Sequence, residues 1–198
     1  MINQPSKETF LKDVSEHILK LIKDDGLYRH MEFSNKGSFN QKFFLVTWPG
    51  YLAYTGDMGD YLFSRTEDMF GFFRNDRLEI NTGYWAEKVR AASVYGNGIR
   101  EFSVDSFREN VLEDVRSRLD LDEDGVIPED MMDEIGELLR AEDEYECVTA
   151  MRDFSSDKIG FPDFWEHSCQ VKTYHYIWCC YAIVWGIQKY DEYKLTNV

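Results

Sequence analysis

The stretch YHYIWCCYAIVWGI, Tyr174 to Ile187, constrains the fold more than any other part of the chain. Wound as a helix, it carries aromatic or aliphatic side chains on every side, with Tyr174, Tyr176, Trp178, Tyr181 and Trp185 among them. A helix that is apolar all round must be buried, either at the centre of its own domain or in a contact between subunits. At 14 residues, with a histidine inside it, the run is too short to span a bilayer. The remaining residues must therefore supply its cover.

The expected cover is a small sheet and further helices. Ser6 reads as the cap of a first helix, with Phe10, Leu11, Val14, Ile18, Leu21 and Ile22 at helical spacing and Gly26 just past its end. From Leu27 the pattern changes to short strands and short turns: LYRHMEFS, KFFLVTW, YLAYTG and YLFSR, separated by NKG, PG and DMGD. Such spacing favours an antiparallel meander, and the unbroken apolar character of FFLVTW marks a central strand. TEDMFGFFR reads as a short helix or an irregular turn, TGYWAEKVRAA as a helix from about Thr82, and IREFS as one more strand.

Beyond it, SVDSFRENVLEDVRSRLD has one apolar stripe. Pro128 suits the first position of a second helix, whose stripe runs through Met131, Met132, Ile135, Leu138 and Leu139 and which AEDEYECVTAM extends. A last helix is expected from about Phe164 to Tyr190. The fold class is α+β: a small antiparallel β-meander packed against N-terminal and C-terminal helices, with an acidic helical segment. The expectation is a single domain, 1–198, with 27–100 mainly sheet and 101–198 mainly helical.

Charge is segregated along the chain. The net charge is -15. Residues 101–166 hold 22 acidic and 6 basic side chains, a net of -16, and the remainder holds 15 and 16, a net of +1. That third is a poor partner for nucleic acid or anionic membrane and a good one for basic protein surfaces. The opening residues are charged and amphipathic and do not read as a secretion signal, so the four cysteines are expected as thiols in a reducing compartment.

Within the acidic third, DLDEDGVIPEDM approaches a calcium loop. Asp120, Asp122, Asp124 and Gly125 fall at the first, third, fifth and sixth positions. The twelfth is Met131 and the ninth Pro128, so the bidentate carboxylate is missing, and an acidic connection between helices is the plainer reading. His167, Cys169, His175, Cys179 and Cys180 match no zinc spacing, and core packing accounts for them better. No nucleophile elbow, phosphate loop, dinucleotide fingerprint or metalloprotease motif is present. No catalytic residue, metal or cofactor is assigned.

Three segments carry a resemblance: GDYLFSRTEDMFGFFR, NTGYWAEKVRAAS and GFPDFWEHSCQVKTYHYIWCCYAIVWGIQKYD, together about a third of the chain. They resemble uncharacterised phage and prophage proteins, and the third is similar to the C-terminal part of phage-encoded inhibitors of the Gabija anti-phage defence system. The resemblance implies an oligomer that assembles on a host nuclease complex and stops it engaging DNA, in the host cytoplasm.

The function expected is a non-enzymatic inhibitor that binds a host defence protein through a basic surface on that protein, without touching nucleic acid or membrane directly. Its partner-binding residues are Asp120, Asp122, Asp124, Glu129, Asp130, Asp133 and Glu137. Trp165, Tyr174, Trp178 and Trp185 are the aromatics of the core or of a homo-oligomer contact. The alternatives are a carboxylate-dependent enzyme acting on a nucleotide or small metabolite, and a calcium-binding module at 120–131.

Overall fold

The computed structural model describes residues 4–93, 98–122 and 125–197. The chain forms two compact units, one from Asn3–Arg100 with Lys172–Val198 and one from Glu101–Val171. The second is thus an insertion in the first. The chain passes between them on strands β7 (Arg100–Phe102) and β8 (Gln170–Lys172), which pair as a two-stranded ribbon.

The discontinuous unit is built on a six-stranded sheet of β1 (His17–Asp25), β2 (Tyr28–Asn35), β3 (Phe43–Trp48), β4 (Tyr51–Gly56), β5 (Gly59–Ser64) and β6 (Val89–Ala92). Spatial order follows sequence order and every neighbouring pair is antiparallel, so this is the expected meander with β3 inside it. Alternation along the strands sends Met31, Phe33, Phe43, Leu45, Leu52, Tyr54, Tyr61 and Phe63 to one buried face. Phe33, Phe43 and Tyr54 stack across β2, β3 and β4, with centroids 4.7 and 5.4 Å apart.

Onto that face packs α8 (Tyr174–Thr196), the all-apolar helix. Thr173 caps it, its hydroxyl accepting from the Tyr176 N–H at 3.2 Å. Trp178 meets Phe43 edge-on at 5.9 Å and Trp185 meets Phe33 at 5.6 Å. The opposite side of α8 is closed by α1 (Lys7–Asp13), whose Phe10 lies 5.0 Å from Trp178. Further along, α2 (Met69–Phe73) sets Phe70 edge-on to Tyr190, and α3 (Thr82–Ala86) accepts the Tyr176 hydroxyl at the Thr82 carbonyl. Two polar atoms at the edge of this core are partnered across the chain: Trp178 Nε1 donates to Asp13, and Tyr190 OH to Asp24.

Gly186 sits where α8 comes nearest the sheet. A Cβ there would stand 2.7 Å from Leu45 Cδ1 and 3.1 Å from Phe33 Cζ, both fully buried. The glycine is a condition of the packing distance, at the usual cost of glycine inside a helix.

Arg29, almost fully buried, lies over the Phe70 ring at 4.5 Å and makes two hydrogen bonds to Asp68, at 2.9 and 3.2 Å. Asp68 also caps α2 by accepting from the Phe70 N–H. Burial raises the Asp68 pKa, but Arg29 and that N–H outweigh it and hold the carboxyl below its ordinary value. A depressed folded-state pKa means this stabilisation is present at neutral pH and is lost as pH falls through the carboxylate range.

Four expectations need correction. The first helix ends at Asp13, and residues 17–25 form strand β1. Ile18, Leu21 and Ile22 satisfy helical spacing, yet Leu19 and Leu21 also alternate onto the core while Ile18 and Ile22 face out. Pairing of β1 with β2 decides between the periods. Gly26, with φ of 59°, serves the β1–β2 turn instead of a helix end. The helix expected from Thr82 stops at Ala86, because Val89–Ala92 completes the sheet beside β5. The last helix starts at Tyr174, with Phe164–Glu166 only a 3-10 turn ahead of it. Among the described residues no helix is long and apolar enough to cross a membrane.

Replacing Gly186 by Ala is expected to cost about 1–3 kcal/mol through overpacking against Leu45 and Phe33. Gly71, inside α2, has open space where its Cβ would sit, so Gly71→Ala is expected to be neutral or to stabilise by up to ~1 kcal/mol. Urea unfolding of both variants measures the contrast.

Candidate functional site

The inserted unit contains the acidic third almost to the residue. Positions 167–171 add no Asp, Glu, Lys or Arg, so Glu101–Val171 keeps 22 acidic and 6 basic residues, a net of -16 against +1 for the rest. The boundary found by counting charge is therefore also a boundary of folding.

The unit has its own apolar centre. Helix α4 (Val104–Arg118) contributes Phe107, Val111 and Val115, α5 (Glu129–Glu134) Met131, and α6 (Gly136–Arg140) Leu138. Helix α7 (Glu144–Asp153) adds Cys147 and Met151, and Ile135 and Phe164 complete the cluster. Helix α7 is separate from α6, and not its extension, because Asp143 starts it anew by accepting from the Glu146 N–H. With the apolar side chains inward, the carboxylates are left outside.

Asp120 ends α4. Its φ is 54°, and the Leu121 N–H donates to Arg116 O at 2.9 Å while the Asp120 N–H donates to Ser117 O at 3.3 Å. These are the two hydrogen bonds of a Schellman cap, with aspartate where glycine is commoner. The Asp122 carbonyl accepts from the Gly125 N–H at 3.0 Å. Asp124 lies outside the described residues. Pro128 stands at the N-cap of α5, one place earlier than expected, and Met131, at the loop's twelfth position, is buried in the core of the unit. Among the described residues no three His, Cys, Asp or Glu side chains converge as a metal-holding group.

The remaining acidic positions divide between two grooves. Asp120 and Asp122 line one of about 780 Å³ with Glu109, Glu113 and Arg116. Asp133 and Glu137 line another of about 760 Å³ with Glu134, Glu146, Asp153 and Arg140. Glu129 and Asp130 occupy the first turn of α5, where negative charge suits the helix dipole. Asp130 pairs with Lys158 at 3.0 Å, and that ammonium holds its carboxyl below the ordinary range. Asp120, Asp122, Glu129, Asp133 and Glu137 are all exposed, and among the described residues they make no salt bridge. Four of the six basic side chains, Arg108, Arg118, Arg152 and Lys158, are already committed to carboxylates of the same unit.

Reasoning from sequence missed Tyr145. It is 78% exposed and stands in the second groove among the carboxylates. An aromatic ring left in water within a charged concavity is the composition of an interface anchor. Its one signal in the sequence is a tyrosine flanked by acids in AEDEYEC. Trp165 is 53% exposed and packs on Phe164, whereas Trp178 and Trp185 are buried within the core of the other unit and Tyr174 is half-buried there.

The thiols are not arranged for chemistry. All four cysteines are buried, and burial raises their pKa values, that of Cys180 to about 12. His167 and Cys169 belong to the inserted unit, and His175, Cys179 and Cys180 to α8. Comparison with protein-family models, with curated proteins and with solved structures gives no match. The resemblance to Gabija inhibitors thus rests on the third quoted segment alone, residues 160–191.

If Asp120 acts as a helix cap, Asp120→Gly is expected to gain about 0.5–1 kcal/mol by relieving the left-handed backbone. Thermal unfolding of the variant at neutral pH reads the change. A loss of stability would show that the carboxylate itself holds the loop.

Proposed function

We propose that the chain is a non-enzymatic inhibitor that docks its acidic inserted unit on the cationic surface of a DNA-engaging protein. The observation that carries this reading is the coincidence of charge with folding: a net of -16 on one compact unit and +1 on the other. An acidic patch of this kind steers encounter with a basic partner and raises the association rate, while a desolvated aromatic such as Tyr145 supplies affinity. The same charge repels nucleic acid, so occupation of a DNA-binding protein, and not of DNA, is the consistent outcome. The phage resemblance makes a Gabija-like host defence nuclease complex the first target to examine, met in the host cytoplasm on this reading.

Chemistry by the carboxylates is less well supported. An enzyme with a carboxylic general acid needs a pKa raised towards neutrality. Among the described residues, every carboxylate with a displaced pKa is displaced downwards, as at Asp24, Asp68 and Asp130.

The test uses a purified Gabija-like nuclease complex and its DNA cleavage. The full chain is expected to suppress cleavage near stoichiometric concentration. The fourfold variant Asp120→Lys, Asp122→Lys, Asp133→Lys, Glu137→Lys, folded by circular dichroism, is expected to need at least about 10-fold more protein, a loss of ~1.4 kcal/mol or greater. Equal potency of variant and parent would refute the role of the acidic unit, and cleavage unaffected by either would refute the target.

A further inference from the structure

The six-stranded sheet has two faces, and its helices cover one. On the other, a cross-strand row runs His30, Val46, Ala53, Leu62 and Ala91, each opposite the next in register. Beside it Trp48 stacks on Tyr51, with centroids 5.3 Å apart, and His30 lies 5.9 Å from Phe44. None of Phe44, Val46, Trp48, Ala53 or Leu62 belongs to, or packs against, either hydrophobic core. The run FFLVTW is apolar at every position because both faces of β3 are apolar, yet only the face with Phe43, Leu45 and Thr47 is buried by the unit itself.

We infer that this uncovered face binds the same face of a second copy of the chain, sheet on sheet, about a two-fold axis. Four observations favour that occupant.

The face is self-complementary in relief. Phe44, Trp48 and Tyr51 stand as a bulky ridge on β3 and β4, while Ala53 and Ala91 floor a depression of about 410 Å³ beside Leu62. A two-fold operation brings the ridge of each copy to the depression of the other, which is how isologous contacts fit.

The carboxylates of the face are already partnered within the unit. Glu32 is held by Lys42 at 2.6 Å and Lys20 at 4.0 Å, and Asp60 accepts from the Thr55 hydroxyl. The unit as a whole carries a net of +1, so it offers neither a basic nor an acidic partner a surplus of opposite sign.

The area suffices. Six strands at roughly 4.8 Å spacing and six residues at roughly 3.3 Å rise give a face of about 25 by 20 Å, on the order of 500 Å² in projection and more in accessible surface. A standard contact takes about 800 Å² per partner, and packed sheets lie about 10 Å apart.

Addition at the β1 edge of the sheet is discouraged. That outer strand carries exposed Lys20 and Lys23 and a break in register between Leu21 and Lys23, devices that keep another strand from pairing there. The other outer strand, β6, is only four residues long.

This inference is independent of the proposed function and has the opposite salt dependence. Two chains of charge -15 repel, and salt screens the repulsion while leaving apolar burial intact, so the dimer should tighten as salt rises. Sedimentation velocity on the full chain from about 1 to 100 µM, at low and high NaCl, makes the test. The expected result is a monomer–dimer equilibrium displaced towards dimer by salt. Ala53→Arg fills the depression and Leu62→Glu charges its wall, and each is expected to weaken association by about 100-fold or more with the monomer's circular dichroism and melting unchanged. If one variant fails to fold, the other and the parent chain still decide. A parent that stays monomeric at both salt concentrations would overturn the inference and leave the face to a different partner. So would a dimer that weakens with salt, or one that survives in the folded variants.

Discussion

Everything in the larger unit depends on the contact between the buried helix Tyr174–Thr196 and one face of the six-stranded meander. Trp178 and Trp185 drop between Phe33 and Phe43 of the sheet and Phe10 of the first helix, and Gly186 sets how near the two backbones come. Rings of this size bury most of the apolar area that a small domain can gather, and their edge-to-face geometry adds a preference for one arrangement. The contact also ties the end of the chain to its beginning, since Trp178 donates to Asp13 and Tyr190 to Asp24. A scaffold closed in this way carries a 71-residue insertion, Glu101–Val171, as a separate compact unit.

That insertion separates two kinds of surface. On the inserted unit, carboxylates outnumber their available cations, and five of them line grooves or a helix start with no salt bridge among the described residues. On the sheet unit, charge is balanced and the uncovered feature is apolar and aromatic. Electrostatic and apolar contacts respond oppositely to salt, so the two surfaces suit two different occupants and can be interrogated separately. We propose a basic protein as the occupant of the first and another copy of this chain as the occupant of the second.

The meander, its central strand and the buried helix were legible because each rests on a pattern that only one structure satisfies. Short alternating runs broken by turn residues make hairpins, and a helix apolar on all sides must be covered, here by the core of its own unit. Residues 17–25 were not legible, because Ile18, Leu21 and Ile22 fit both the helical and the strand period and only the partner strand breaks the tie. Val89–Ala92 failed for the same reason: its fate depends on the vacant edge of β5.

At the candidate site, counting charge found the acidic unit to within a few residues, but not how its carboxylates are grouped. Asp120 and Asp122 part from Asp133 and Glu137 according to how α4 to α7 pack, and alternate acids that resembled a metal loop prove to include a helix cap at Asp120. Tyr145 escaped notice because exposure is a property of packing and not of a residue's neighbours in sequence.

The central claim is that concentrated negative charge on a separately folded insertion drives recognition of a cationic protein. Its most direct measurement is the affinity of the full chain for a purified Gabija-like nuclease complex, titrated from about 50 to 500 mM NaCl, a span over which the Debye length falls from roughly 14 to 4 Å. The account requires the logarithm of the association constant to fall steeply and linearly with the logarithm of salt concentration. Binding that is flat or strengthens over that range would contradict it.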